Sequence, residues 1–217
     1  MDVKSVRAGI VTSVSLSLFL GASQLNSDRR DKTEKVGEVL AALGATAGKV
    51  IADVGAGEGF YTIRIAKAVA PTGRVTAVDV NQKVLDTLRQ QLTADKIDNV
   101  DTVLGAFDDP KLASAAYDAV LVYNTYHEMT EHVAMRRAMF AALKPGGRLV
   151  VSEGIQENNR TASREAQVKD HEIALEYVEQ ELTDTGFQVI ETRPDFFPYI
   201  NPKFKGGFWL IVARKPE

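Results

Sequence analysis

Residues 51–60 read Ile-Ala-Asp-Val-Gly-Ala-Gly-Glu-Gly-Phe, and this stretch decides the fold. The apolar residues before Gly55 predict a short buried strand, and residues 60–69 have the amphipathic pattern of a helix. Between them, Gly55, Gly57 and Gly59 let backbone N–H groups and the start of the helix approach a ligand closely. The segment therefore favours a strand-turn-helix unit that binds a nucleoside, although a tight connection without a ligand is an open alternative.

The glycine spacing argues against one class of nucleotide site. A dinucleotide fingerprint, G-x-G-x-x-G, would require glycine or alanine where Phe60 stands. A nicotinamide (NAD)-dependent oxidoreductase is therefore a weak alternative. A noncatalytic nucleoside-binding protein is a stronger one, because the glycine turn explains binding without chemistry.

A second predicted strand, residues 73–79, ends on the carboxylate of Asp79. Asp79 follows Gly59 by about one βαβ step, where an acidic side chain can accept hydrogen bonds from both ribose hydroxyls. The alternative is that Asp79 caps the helix that starts near Asn81. The glycines upstream favour the ribose role.

Strands and helices alternate along the chain. Helices are predicted near 33–43, 59–69, 81–94, 111–115, 130–143 and 165–184, and strands at 49–54, 74–79, 100–104, 118–124, 147–153, 187–193 and 207–214. This alternation predicts an α/β fold with a single doubly wound, mostly parallel seven-stranded sheet. The last two strands lack a connection of helical length, so we expect an antiparallel last strand.

Three further segments follow in order, namely Gly105-Ala-Phe-Asp108, the strand from Asp118 to Asn124 and the turn Leu143-Lys-Pro-Gly-Gly147. Together with the glycine turn and Asp79, they resemble the motifs of the class I S-adenosylmethionine-dependent methyltransferases over roughly residues 34–153. A subset of small predicted methyltransferases is more similar still. It has an Asn-Thr-Tyr-His-Glu segment and a later helix like Asp170-His-Glu-Ile173.

The resemblance implies a Rossmann-like methyltransferase fold with S-adenosyl-L-methionine as the cofactor. Gly55 and Gly57 would bracket its methionine part, and Asp53 would bind near its amino group. The implied cofactor-binding residues are Asp53, Gly55, Ala56, Gly57, Asp79, Val80, Ala106, Phe107, Asp108 and Asn124. Many members have an acidic residue directly after the glycine at 105, where this chain has Ala106, and Asp108 is the candidate to replace it at the adenine.

The methyl acceptor, a small molecule, is predicted to bind where strand 118–124 ends, because ligands of open α/β sheets lie outside the carboxyl ends of the strands. His127 follows that strand. One face of the predicted helix 165–184 carries Arg164, Val168, His171, Leu175, Val178 and Leu182 at spacings of three and four. We therefore expect His127, His171 and Arg164 to converge as the catalytic residues.

Three interpretations of His127 and His171 are open. In the first, they contact the substrate or act as a general base, since histidine titrates near neutral pH. In the second, they are structural and orient loops. In the third, they bind a metal ion together with Glu128 and Glu153, although we assign no metal from the sequence. A base is not obligatory, because transfer to an already nucleophilic acceptor needs mainly alignment with the sulfonium.

Composition limits the partners. The chain has 217 residues, a net charge of −3 and no cysteine. This length suits one α/β domain, the charge gives no electrostatic footprint for nucleic acid, and cysteine-based metal sites and disulfides are excluded. The oligomeric state stays open.

Residues 1–30 have the layout of a secretory signal peptide or anchor, and the methyltransferase domain is predicted at 31–217. Lys4 and Arg7 precede an apolar run at 8–22 that is too short and too serine-rich for a stable membrane span. Small residues at 21–23 suit cleavage. A signal peptide predicts an exported or periplasmic protein, whereas an amphipathic helix packed on the domain predicts a cytoplasmic one.

Overall fold

A computed structural model describes residues 29–217, so nearly all of the predicted signal segment lies outside the described residues. The chain divides into two compact units, residues 1–37 and 38–217. The described part of the first unit contains a helical segment at 29–33, where Arg30 pairs with Glu34 over 2.5 Å. No helix of the described residues has the length and hydropathy that a bilayer crossing requires.

The second unit is built on one seven-stranded sheet. Its strands are β1 Val50–Val54, β2 Arg74–Asp79, β3 Val100–Leu104, β4 Tyr117–Tyr123, β5 Leu143–Gln156, β6 Gln188–Pro198 and β7 Gly206–Arg214. The strand order is β3-β2-β1-β4-β5-β7-β6. Strands β1 to β5 pair in parallel, and β7 runs antiparallel to both β5 and β6. The predicted mostly parallel sheet with an antiparallel last strand is confirmed.

The helices connect these strands. They are α1 Val36–Leu43, α2 Phe60–Val69, α3 Gln82–Ala94, α4 His132–Ala142, α5 Arg164–Lys169 and α6 Leu175–Thr185, with a 3₁₀ turn at Tyr126–Glu128. Apolar side chains of α2 and α3 form one buried cluster with β2, and those of α4 and α6 form another with β4 and β5. Helices therefore cover both faces of the sheet. Because the central strands are buried on both faces, their sequences are mostly apolar and do not alternate with polar residues.

The strand predicted at 147–153 is longer, Leu143–Gln156, and includes the Leu-Lys-Pro-Gly-Gly segment that the sequence predicts as a turn. Three further predictions of helix bounds are wrong, and left-handed residues explain them. Residues 111–115 are a loop, because Lys111 and Ala115 have φ of 54° and 50°, which no helix accepts. The helix predicted at 33–43 begins at Val36, directly after Lys35 at φ 50°. The predicted helix 165–184 is two helices, and His171 between them has φ 59°.

The buried side chain of Gln167 stabilises the break between α5 and α6. Its Oε1 accepts the N–H of Ala174 at 2.8 Å, and its Nε2 donates to the carbonyl of Asn159 at 2.9 Å. The side-chain amide thus supplies a partner for the N–H of Ala174, directly before α6, and for a carbonyl of the preceding turn. The predicted single stripe from Arg164 to Leu182 is therefore interrupted.

Candidate functional site

The glycine turn joins β1 to α2. Gly55, Gly57 and Gly59 have φ of 80°, 53° and 87°, in the left-handed region that favours glycine. At Gly55 an added Cβ would also overlap the side chain of Thr125, whereas at Gly57 the space is open. Ala56 donates its N–H to the carbonyl of Val78 at 2.9 Å and holds the turn against β2.

Asp79 links the end of β2 to this turn. Its Oδ2 accepts the N–H of Gly57 and its Oδ1 accepts the N–H of Asn81, both at 2.9 Å. The N-cap of α3 is Asn81, whose side chain accepts the N–H of Lys83 at 3.0 Å. The capping alternative for Asp79 is therefore wrong. An ionised carboxylate has about four lone-pair sites, so each oxygen can still accept a hydroxyl.

A cavity of about 390 Å³ lies at the carboxyl ends of β1, β2 and β4. Its lining consists of Val54, Gly55, Gly57, Val78, Asp79, Val80, Ala106, Phe107, Thr125, Glu128, Met129 and Met135. Gly55, Gly57, Asp79, Val80, Ala106 and Phe107 are predicted cofactor-binding residues. The structure therefore brings most of the predicted set to one pocket, with Phe107 as a 64% exposed aromatic side chain.

The other predicted cofactor residues lie outside the lining. Ala56 faces β2 through its backbone, and Asp108 and Asn124 are exposed. Asp53 is buried and accepts a 2.6 Å hydrogen bond from the Thr62 hydroxyl. Burial raises the pKa of Asp53 to about 6, against the opposing effect of the Thr62 hydrogen bond.

The sequence analysis missed several lining residues. Thr125 follows β4 and faces Gly55, and Met129 and Met135 close the cavity from the loop and from α4. The position of Thr125 just after the end of a strand could have identified it as a pocket residue, because ligands bind at the carboxyl ends of the strands. The two methionines carry no such signal, since their pattern is that of ordinary core residues.

His127 is held beside the pocket by Glu153. The Nδ1 of His127 lies 2.7 Å from Oε2 of Glu153, which is fully buried. The other oxygen of Glu153 accepts the N–H groups of Thr125, at 2.6 Å, and of Tyr126. Burial of His127 lowers its pKa, but the hydrogen bond and charge of Glu153 outweigh it and the pKa is raised.

Glu128 brings the two predicted histidines together. Its Oε1 lies 3.2 Å from Nε2 of His127 and 2.7 Å from Nδ1 of His171. The imidazole rings are 5.9 Å apart, edge to face. Because Glu128 lines the cavity, this cluster borders the pocket. The hydrogen bond from His171 is the main reason that the pKa of Glu128 is lowered.

Arg164 does not join this cluster, and the expectation that it converges with the histidines is wrong. Its Nε donates to Oε1 of Glu181 at 2.5 Å. The other oxygen of Glu181 accepts from the Tyr126 hydroxyl at 2.6 Å and from Arg136 at 2.9 Å. The break between α5 and α6 separates Arg164 from the position of His171, and Arg164 instead belongs to an ion cluster.

Comparison with known proteins identifies related sequences. The family model described as "Methyltransferase domain" matches residues 51–147. The ubiquinone/menaquinone biosynthesis C-methyltransferase UbiE of Klebsiella pneumoniae is 30% identical over 111 residues, which are 51% of this chain and 44% of that protein. The chain thus covers less than half the length of this curated relative.

Solved structures share the fold at low sequence identity. A SAM-dependent methyltransferase from Aquifex aeolicus superposes with a TM-score of 0.72 at 20% identity, covering 88% of this chain and 95% of that one. The [4+2]-cyclase SpnF superposes with a TM-score of 0.73 at 19% identity, covering 83% and 79%. The name of SpnF describes a reaction other than methyl transfer, so the fold by itself does not determine the reaction.

Proposed function

Because residues 51–147 match the methyltransferase domain model and solved methyltransferases share the fold, we propose that the chain is a class I S-adenosylmethionine-dependent methyltransferase, which transfers the methyl group of S-adenosyl-L-methionine to a small-molecule acceptor. The observation that supports this most is the cavity of about 390 Å³ at the carboxyl ends of β1, β2 and β4. Its place is where open α/β sheets bind ligands. Its lining includes the turn glycines and Asp79.

The lining supports one orientation of the cofactor. Asp79 would accept the ribose hydroxyls, and the adenine would lie beside Ala106, with the exposed Phe107 ring available to cover it. The methionine part would run along the turn at Gly55 and Gly57. The sulfonium would then lie on the side of Glu128.

Methyl transfer in this pocket depends mainly on alignment. The acceptor atom forms a bond to the methyl carbon, the S–C bond breaks, and its electron pair returns to sulfur to give S-adenosylhomocysteine. Holding both partners in line can supply much of the rate, because a bimolecular step becomes effectively unimolecular. His127 and His171 border the acceptor side, and Met129 and Met135 make that side apolar.

The direct test of the proposed function is turnover of methyl-labelled S-adenosylmethionine with a panel of phenolic, amine and thiol acceptors. We expect labelled product and S-adenosylhomocysteine to form in equal amounts with one acceptor class. Asp79→Ala should lower turnover at limiting cofactor by about 5- to 150-fold, the equivalent of about 1–3 kcal/mol of lost cofactor binding, and Asp101→Ala, on an exposed part of β3, should not. Cofactor binding without transfer to any acceptor class would favour the noncatalytic nucleoside-binding protein instead.

We also propose that the protein is exported and that its methyl acceptor is a small molecule and not a nucleic acid. A net charge of −3 supports a small acceptor over nucleic acid, which attracts basic surfaces. The layout of residues 1–30 supports export. Mass determination of the mature N-terminus from the native host tests this, since a start after about residue 23 is expected. An intact first segment on soluble cytoplasmic protein would contradict it.

A further inference from the structure

Two imidazoles and a carboxylate meet at the edge of the cofactor pocket. His127, Glu128 and His171 each offer one nitrogen or oxygen, and these atoms all lie within 4.8 Å of one another. We propose that these three side chains bind a divalent transition-metal ion of the Zn²⁺ class. Nitrogen and carboxylate donors in this combination suit such ions, and three protein ligands leave coordination positions open.

The separations between the donor atoms bracket those that a metal ion requires. Metal–ligand bonds of about 2.0–2.1 Å in tetrahedral geometry place ligand atoms about 3.3 Å apart. Oε1 of Glu128 lies 3.2 Å from Nε2 of His127 and 2.7 Å from Nδ1 of His171, and the remaining separation, between the two ring nitrogens, is at most 4.8 Å. Glu128 and His171 are both exposed, so their side chains have room to adjust around an ion.

Glu153 orients the imidazole of His127 for metal binding. Metal-binding histidines usually donate their other ring N–H to a carboxylate, which fixes the tautomer and the ring orientation. The fully buried Glu153 occupies that position at 2.7 Å from Nδ1 of His127 and is itself anchored by the backbone N–H of Thr125. Nε2 of His127 is left facing Glu128, on the pocket side.

His171 lies in the break between α5 and α6. It is the residue after the C-cap of α5, with φ 59°, a position that helices usually fill with glycine or asparagine. Its side chain is 73% exposed and is not needed for the core, yet it reaches Glu128.

The position of the cluster indicates a role, and that role rests on the proposed function. Glu128 lines the cavity on the side that we assign to the acceptor. A cation there would hold an oxygen or sulfur of the acceptor beside the methyl group. In this account His127 is a metal ligand, so its Nε2 is not free to act as a general base.

Calorimetric titration of chelator-treated protein with Zn²⁺ tests the site, and the chain has a matched control. It contains three histidines, and the one outside the proposed site, His132, lies 3.4 Å from the carboxylate of Glu181. We expect one Zn²⁺ per chain. Glu128→Gln and His171→Asn should weaken binding by more than about 10-fold, since loss of even an outer partner costs about 10- to 100-fold. His132→Asn should bind like the parent.

Separate titrations distinguish loss of the metal site from loss of the cofactor site. Titration of the same samples with S-adenosylhomocysteine reports the cofactor pocket, and His171 does not line that pocket. Absence of Zn²⁺ binding, or equal affinity in the parent and the His171→Asn variant, overturns the metal site even when S-adenosylhomocysteine binds. Loss of Zn²⁺ binding in His171→Asn with retained S-adenosylhomocysteine affinity supports it, because Asn tolerates the left-handed backbone.

Discussion

The carboxylate of Asp79 accepts a hydrogen bond from the backbone N–H of Gly57 at 2.9 Å, and so ties the end of β2 to the glycine turn after β1. One side chain thereby sets the shape of the turn and lines the same cavity as Gly55 and Gly57. The two sequence features that first indicated a nucleoside site are thus parts of one hydrogen-bonded unit. Disturbing either should affect the other.

Replacing Asp79 with Ala should weaken S-adenosylhomocysteine binding by about 1–3 kcal/mol, the scale of hydrogen bonds to charged groups. Both the ribose acceptor and the anchor of the Gly57 N–H are lost. Calorimetry of the variant measures the effect. Asp101→Ala is the control, because Asp101 pairs with Arg74 on the surface, outside the cavity lining. Parent-like affinity in Asp79→Ala would place the cofactor elsewhere.

Gly55→Ala should be more harmful than Gly57→Ala. Both substitutions force alanine into a left-handed backbone, at a cost of about 1–2 kcal/mol. Only at Gly55 does the new Cβ also overlap the side chain of Thr125, a residue of the cavity lining that must then shift. Melting temperature and S-adenosylhomocysteine affinity should both fall further in Gly55→Ala. An equal loss in the two variants would show that Thr125 does not restrict the turn.

The buried Asp53 should make stability depend on pH. Burial raises its pKa from 3.8 to about 6, so between these values the folded protein holds a proton that the unfolded chain releases. Its contribution to the free energy of unfolding is therefore greatest below pH 3.8, falls as the pH rises to about 6, and is then lost, in total about 3 kcal/mol.

Denaturant unfolding of the parent and Asp53→Asn across this pH range measures the contribution, because the other groups cancel in the difference. The stability of the Asn variant relative to the parent should rise between pH 3.8 and about 6. A difference that stays constant with pH would mean that Asp53 ionises normally. If the cofactor ammonium approaches Asp53, S-adenosylhomocysteine binding near pH 5 should also release a proton, which calorimetry in two buffers detects.

Arg164→Ala should act on stability and spare the cofactor. The substitution removes the 2.5 Å hydrogen bond to Glu181, whose carboxylate keeps Arg136 and the Tyr126 hydroxyl. A loss of about 1–3 kcal/mol in the free energy of unfolding is expected, with unchanged S-adenosylhomocysteine affinity. Parent-like stability combined with lost turnover would instead restore the acceptor role that the helical stripe suggested.

The fold was largely predictable because its signals are local. Buried strands, glycine turns and amphipathic helices each repeat over a few neighbouring residues, and their order specifies a parallel sheet. The helix at 111–115 and the unbroken helix at 165–184 were wrong for a related reason. Apolar spacing does not report that Lys111 or His171 adopts a left-handed backbone, nor that Gln167 bonds the break.

In the candidate site too, the residues that belong to local motifs could be predicted from the sequence, and the contacts between distant residues could not. Gly55, Gly57 and Asp79 belong to sequence motifs and line the cavity as expected. The partner of Arg164 is Glu181 on α6, and no local sequence pattern encodes that contact. The meeting of His127 with Glu153 likewise depends on the pairing of β4 with β5.

The most direct measurement of the central claim is paired calorimetry of the parent protein with S-adenosylhomocysteine and with NAD. We predict one S-adenosylhomocysteine per chain, binding that Asp79→Ala weakens, and no comparable binding of NAD, because Phe60 stands where the dinucleotide fingerprint needs glycine or alanine. Tight NAD binding without a response to S-adenosylhomocysteine would contradict the account.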